Sequence, residues 1–159
     1  MTDHSSRILE RDRLAVLREE HRNRKLVFTN GCFDLLHRGH AELLASARSL
    51  GDMLVVGLNS DSSVVKIKGI GRPLAGQDDR AFVLLQLRSV DYVTIFDEET
   101  PLEVIEALRP DVLVKGAEYE KGEIVGGSLV EGYGGQVVRI EMIKGYSTTH
   151  LIKKLKEPQ

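Results

Sequence analysis

Two rhythms of apolar residues alternate along the chain. Short continuous apolar runs are separated by longer stretches with apolar residues three and four apart. The short runs predict strands at 26–29, 53–58, 92–96, 111–114 and 137–141. Met53 to Leu58 is apolar throughout, as expected of a strand buried on both faces. The amphipathic stretches predict helices from Arg38 to about Leu50-Gly51, 61–65, 77–87, 101–108, 128–133 and 148–155. A charged surface helix is expected within residues 1–24, where Ile8, Leu9, Leu14 and Leu17 fall at roughly helical spacing. Residues 67–76 and 115–127, rich in glycine and polar side chains, are read as loops.

This order of elements predicts an α/β fold. It would be a single doubly wound, Rossmann-like domain with a five-stranded parallel sheet, residues 25–159, preceded by an N-terminal helical extension, residues 1–24. In such sheets ligands bind beyond the carboxyl ends of the strands. The loops after Thr29, Leu58, Val114 and Ile143 should therefore meet.

Composition narrows the class. At 159 residues with 42% hydrophobic content, the chain suits one packed domain. A net charge of -2 gives no electrostatic support for binding nucleic acid. One cysteine, Cys32, excludes an intrachain disulfide and is read as a small buried apolar residue. No apolar run is long enough for a membrane span, and Met1 to Ser6 does not read as a secretion signal. A soluble cytoplasmic protein is expected.

The candidate chemistry begins where the first strand breaks. Gly31-Cys32-Phe33-Asp34-Leu35-Leu36-His37-Arg38-Gly39-His40 leads from strand to helix. The free N–H groups and dipole of a helix start favour an anion. His37 and His40 fall on one side of a helical turn, and bare Gly39 lets a ligand approach the backbone. These residues suit a polyphosphate. Asp34, His37 and His40 also have the spacing of a two-histidine, one-carboxylate metal site. Ser147 and Thr148 can cap the last helix while leaving its N–H groups for a second phosphate.

His37-Arg38-Gly39-His40 resembles the His-x-Gly-His signature of the nucleotidyltransferase superfamily, which includes the cytidylyltransferases and pantetheine-phosphate adenylyltransferase. Gly145-Tyr146-Ser147-Thr148-Thr149 resembles its second signature. Thr29 to Asp34, Asn59-Ser60-Asp61, Lys66-Ile67-Lys68-Gly69, Arg72-Pro73, Val114-Lys115-Gly116 and Ser147 to Lys154 are similar to the adenylyltransferases of ADP-heptose synthesis. That resemblance covers about residues 25–155. It implies transfer of an adenylyl group from ATP, with Mg²⁺ held mainly by the ATP phosphates, to D-glycero-D-manno-heptose 1-phosphate. The products would be ADP-heptose and pyrophosphate.

The same resemblance assigns roles. His37, His40 and Lys66 would be catalytic. Asn30, Gly31, Phe33, Asp34, Gly39, Ser147, Thr148 and Thr149 would bind the nucleotide. Asn59, Asp61, Lys68, Arg80, Lys115, Gly116, Glu118 and Tyr119 would bind the sugar phosphate, and no metal would be held by the protein alone. Two positions depart from pattern. Ala117-Glu118-Tyr119 stands where the heptose family has Gly-Asp-Tyr. Met142 stands where glycerol-3-phosphate cytidylyltransferases, the nearest enzyme alternative, carry an arginine. A non-catalytic nucleotide sensor is the alternative of another class. A chain of 159 residues has no room for a sugar kinase, so a separate kinase is expected upstream. A homo-oligomer, with no nucleic-acid or membrane partner, completes the expectation.

Overall fold

The computed structural model describes residues 4–157. Five parallel strands form one sheet: β1 (Leu26–Gly31), β2 (Met53–Asn59), β3 (Tyr92–Phe96), β4 (Val112–Gly116) and β5 (Gln136–Ile140). Among the described residues there are seven α-helices: α1 (Arg11–Glu20), α2 (Arg38–Arg48), α3 (Asp61–Lys68), α4 (Gln77–Gln86), α5 (Leu102–Leu108), α6 (Gly127–Gly132) and α7 (Thr148–Lys156).

Side chains alternate across the sheet, so each strand feeds both cores. Val27 packs in a core with Leu44 and Ala47 of α2 and Leu84 of α4. Its neighbours Leu26 and Phe28 pack in a second core with Leu14 and Leu17 of α1 and Ile105 of α5. Two buried faces explain why β2 is apolar almost throughout and why β1 and β4 begin with apolar runs.

The strand order is β3-β2-β1-β4-β5. The chain winds outward from β1 on one side, then returns to start β4 on the other. That reversal is where a doubly wound sheet opens a crevice. The β1–β4 ladder pairs Val27 with Val112 and Phe28 with Leu113, although both strands continue further. Beyond it, the Thr29 hydroxyl donates to the Val114 carbonyl at 3.0 Å, and the strands then part.

Several boundaries differ from the sequence reading. Ile8 and Leu9 are not helical: Ile8 bridges Val93 beside β3, and the Leu9 N–H donates to the Val93 carbonyl at 2.8 Å. Leu14 and Leu17 of α1 are buried rather than resting on a loose surface. Helix α3 runs on to Lys68 and stops at Gly69, whose φ of 91° suits glycine alone. Lys66 and Lys68 therefore lie on a helical turn, not in the following loop. Pro101 caps α5 instead of starting it, and Lys115 and Gly116 finish β4. No helix among the described residues is long and apolar enough to cross a membrane.

Candidate active site

A cleft of about 890 Å³ opens at the carboxyl ends of the strands, over the parting of β1 and β4. Its floor is the end of β1 and the turn into α2. Phe33 and Leu35 have φ of 45° and 52°, left-handed values that are uncommon outside glycine. This coiled backbone turns Asp34 inward, and its side chain is almost completely buried.

Histidines 37 and 40 stack with ring centroids 3.8 Å apart and planes 22° apart. The edge of Phe33 packs on His40, centroid to centroid 5.4 Å. Backbone and ring also interlock: the His37 N–H donates to His40 Nδ1 at 3.4 Å. His37 Nδ1 faces the His40 N–H in return, too loosely for a hydrogen bond. An accepting Nδ1 puts the His40 proton on Nε2. Burial, and secondarily the charge of His37, pushes the His40 pKa down to about 4. Burial also lowers that of His37. Near neutral pH the pair is uncharged, able to donate hydrogen bonds to an incoming anion.

Gly39 lies under this stack and does not line the cleft. A Cβ there would stand 2.9 Å from His37 Cε1, 3.0 Å from His37 Nδ1 and 3.1 Å from Tyr146 Cβ. The glycine makes room for the imidazole and for the second signature, rather than for a ligand against the backbone.

Asp34 ties three segments together. Its Oδ2 accepts from Arg72 Nε at 2.9 Å and from the Leu74 N–H at 2.8 Å. Its Oδ1 accepts from the Ala75 N–H at 3.2 Å. Its carbonyl accepts from the Thr148 hydroxyl at 2.8 Å. Burial acts to raise the Asp34 pKa, but the Leu74 and Ala75 N–H groups and the Arg72 guanidinium prevail and hold it below the ordinary carboxylate value. A carboxylate so engaged is not free to complete a metal site with the histidines. The second signature closes the same wall: Ser147 Oγ accepts from the His150 N–H at 3.0 Å, capping α7, and Thr149 lines the cleft beside it.

The end of β4 and the turn after it bring Lys115, Gly116, Glu118 and Tyr119 into the cleft. The Lys115 ammonium lies 5.2 Å from the Tyr119 ring centroid. Burial pushes its pKa down to about 8. Gly116 lies so close under the Glu118 carboxylate that a Cβ would clash with it. Asn30, Gly31, Asn59, Lys66 and Lys68 complete the expected lining. Asn30 Oδ1 is buried with no hydrogen-bond partner, an acceptor that a ligand's donor would satisfy.

Two expected substrate ligands are elsewhere. Arg80 is 2% exposed, and its guanidinium donates to the carbonyls of Ala75 (2.9 Å), Cys32 (2.6 Å) and Asn59 (2.9 Å) and to Asp61 Oδ1 (2.8 Å). Arg80 and Asp61 form a strut joining the ends of β1 and β2, and neither lines the cleft. Cys32, read as core, does line it; burial raises its pKa, keeping it a thiol.

The lining also includes residues to which sequence reasoning gave no role: Arg72, Glu99, Thr100, Glu123, Val125 and Tyr146. Arg72 and Tyr146 stood within recognisable motifs. Glu99 and Glu123 follow different strands, and no local pattern announces that they share a cleft.

Residues 28–154 match the family described as Cytidylyltransferase-like. The chain is 52% identical over 158 residues, 98% of its length, to the bifunctional protein HldE of Pelobacter propionicus, of which it covers 32%. It is 57% identical over 134 residues, 84% of its length, to the HldE of Campylobacter concisus, covering 28%. It thus spans about a third of the length of these curated relatives. Among solved structures it is similar to a lipopolysaccharide core biosynthesis protein from Thermoplasma volcanium. The TM-score is 0.66 and the identity 26%, over 76% of this chain and 99% of that one.

Proposed function

The chain belongs to the cytidylyltransferase-like family, and on that premise we propose that it is an adenylyltransferase joining ATP to D-glycero-D-manno-heptose 1-phosphate. The observation that carries the nucleotidyl-transfer part is the meeting of both signatures at Asp34. His37 and His40 stack at the start of α2, while Thr148 at the start of α7 bonds the Asp34 carbonyl. Two helix starts converge on one cleft, a place for a polyphosphate. The heptose part rests on the resemblance of the loops around Lys66, Arg72 and Lys115, and on the relatives named HldE.

ATP would enter as its magnesium complex, the ion carried by the phosphates and neutralising their charge. A phosphate oxygen of the sugar 1-phosphate attacks the α-phosphorus. The bond from that phosphorus to the bridging oxygen of the β-phosphate breaks, and pyrophosphate leaves with the electron pair. The protein needs no covalent nucleophile. It brings two anions together and supplies donors where charge develops. His37 and His40 donate to the ATP phosphates from Nε2, and Lys66 at the end of α3 adds a cation. Ser147, Thr148 and Thr149 offer the second helix start. Asn30, Gly31 and Phe33 shape the nucleotide side, with Asp34 and Gly39 holding it in place. Lys68, Lys115 and Asn59 face the acceptor phosphate, and Gly116, Glu118 and Tyr119 the sugar.

Met142 lines the cleft where the cytidylyltransferases carry arginine, which favours ATP over CTP. We also propose a cytoplasmic homo-oligomer that draws on a sugar 1-phosphate made by a sugar kinase, serving heptose incorporation into lipopolysaccharide core or capsule. Pyrophosphate release with ATP, CTP and GTP, each against a panel of sugar phosphates and glycerol 3-phosphate, tests the assignment. Turnover should be fastest with ATP and the heptose phosphate. Equal or faster turnover with CTP and glycerol 3-phosphate would overturn it.

A further inference from the structure

We propose that Arg72 is a further binding residue for this reaction, gripping the pyrophosphate end of the nucleotide, and that Asp34 is the positioning residue that aims it. The inference rests on the nucleotidyl-transfer reading above.

Arg72 and Arg80 are the first two arginines after α3, and each meets a carboxylate. Arg80 spends all three guanidinium nitrogens on protein acceptors. Arg72 spends one. Its Nε is bound to Asp34, while Nη1 and Nη2 have no hydrogen-bond partner among the described residues. The Arg72 side chain is 20% exposed against 1% for Asp34, and it lines the cleft. A guanidinium fixed by its inner edge keeps its outer fork rigid and open. That planar fork matches two oxygens of a phosphate.

Its location decides which phosphate. Asp34 lies in the turn that enters α2, three residues before His37. The bond to Asp34 therefore seats Arg72 beside the turn that enters α2 and carries the histidine pair, and Arg72 lines the cleft there. On the reading above the ATP phosphates lie against that helix start, so the pyrophosphate is the anion that the Arg72 fork meets. When the α-phosphorus bond breaks, negative charge grows on the pyrophosphate, and a preset cation there lowers the barrier. The three Asp34 bonds to Arg72, Leu74 and Ala75 hold this part of the loop in place before ligand arrives.

The test compares the full chain with Arg72→Gln, Arg72→Lys, Asp34→Asn and the Asp34→Asn/Arg72→Gln double variant. Calorimetry with inorganic pyrophosphate is run beside steady-state kinetics and thermal melts. Arg72→Gln should weaken pyrophosphate binding about 10- to 100-fold, the range for a hydrogen bond to a charged group. It should lower kcat while leaving KM for the sugar phosphate in place. Arg72→Lys, which keeps a cation beside Asp34, should recover only part of the affinity. Asp34→Asn should weaken pyrophosphate binding too, yet add nothing further in the Arg72→Gln background. Unchanged pyrophosphate affinity in a folded Arg72→Gln or Arg72→Lys variant overturns the proposal, as do losses that multiply in the double variant. Failure of the ATP assignment is distinguishable: pyrophosphate leaves from CTP as well, so the calorimetric result stands whichever nucleotide is used.

Discussion

Thr148 Oγ1 donates a hydrogen bond to the carbonyl oxygen of Asp34 at 2.8 Å, across 114 residues of sequence. One side chain thereby joins the start of α7 to the turn that precedes α2. Thr148→Val keeps the shape and removes the donor. It is expected to cost about 1 kcal/mol of stability, the usual worth of such a bond. Turnover should fall further than that loss explains, because the second signature would no longer be held against the first. Thermal melts and kcat on the same preparation check this; unchanged kcat would show that the tie is structural only.

Gly39→Ala tests the packing beneath the histidines. Its Cβ would lie 2.9 Å from His37 Cε1 and 3.1 Å from Tyr146 Cβ. Overpacking of this kind costs about 1–3 kcal/mol, and here the ring of His37 would have to move. ATP turnover should drop sharply in a folded protein. A crystal structure or histidine NMR spectrum with the His37–His40 stack intact would count against this reading.

For His40→Ala, losing one preset donor to the reacting phosphates should reduce kcat on the order of 10²–10³-fold. The neutral pair also has a pH signature. The His40 pKa is about 4 in the folded chain, below the ordinary histidine value. Between that ordinary value and about 4 the unfolded chain binds the extra proton, so His40 makes stability fall as pH falls through this window. His40→Asn should therefore show a smaller drop in Tm from pH 7 to pH 5 than the parent. An equal drop would mean that His40 is not held neutral.

Lys115 gives the opposite limb. With its pKa near 8, its charge is present below that pH and lost above it. Affinity for the sugar phosphate should fall as pH rises through about 8, and KM for that substrate should rise. Lys115→Arg, charged throughout, should flatten the limb. A KM profile that is the same in both proteins would remove Lys115 from the acceptor site.

Arg80→Met separates a strut from a ligand. It leaves the carbonyls of Ala75, Cys32 and Asn59 unpaired. A loss of about 3 kcal/mol is expected. At temperatures where the variant is folded, KM for the sugar phosphate should hardly change. A large rise in KM with normal stability would return Arg80 to the binding site.

The sheet was legible because burial on both faces writes the inner strands as mostly apolar runs, while the edge strands β3 and β5 keep enough apolar residues to be read despite Thr94 and Arg139. Met53 to Leu58 and Tyr92 to Phe96 needed no tertiary information. The helix starts at His37 and Ser147 were legible because a strand, a glycine turn and an amphipathic run follow in order. Other features depend on contacts between distant residues. The acceptors of Arg80 are carbonyls at the ends of two strands, which a helix pattern cannot reveal. The glycine-rich stretch hid the last turn of α3, although Lys66-Ile67-Lys68 contains good helix formers and Gly69 supplies the stop. Gly39 read as open backbone because sequence spacing does not show that an imidazole and Tyr146 fill the space above it. Ile8 and Leu9 fitted a helical period by chance, while their backbone was claimed by Val93 at the sheet edge.

Adenylyl transfer to a heptose 1-phosphate in the cleft between β1 and β4, as proposed above, can be watched directly. Phosphorus NMR of the full chain with ATP, Mg²⁺ and D-glycero-D-manno-heptose 1-phosphate, supplied as both anomers, follows both partners of the reaction at once. The sugar phosphate resonance should give way to a diphosphate diester pair as pyrophosphate appears in equal amount, with both changes abolished or greatly slowed in His40→Ala. Persistence of the sugar phosphate signal with active protein, or equal conversion by His40→Ala, would contradict it.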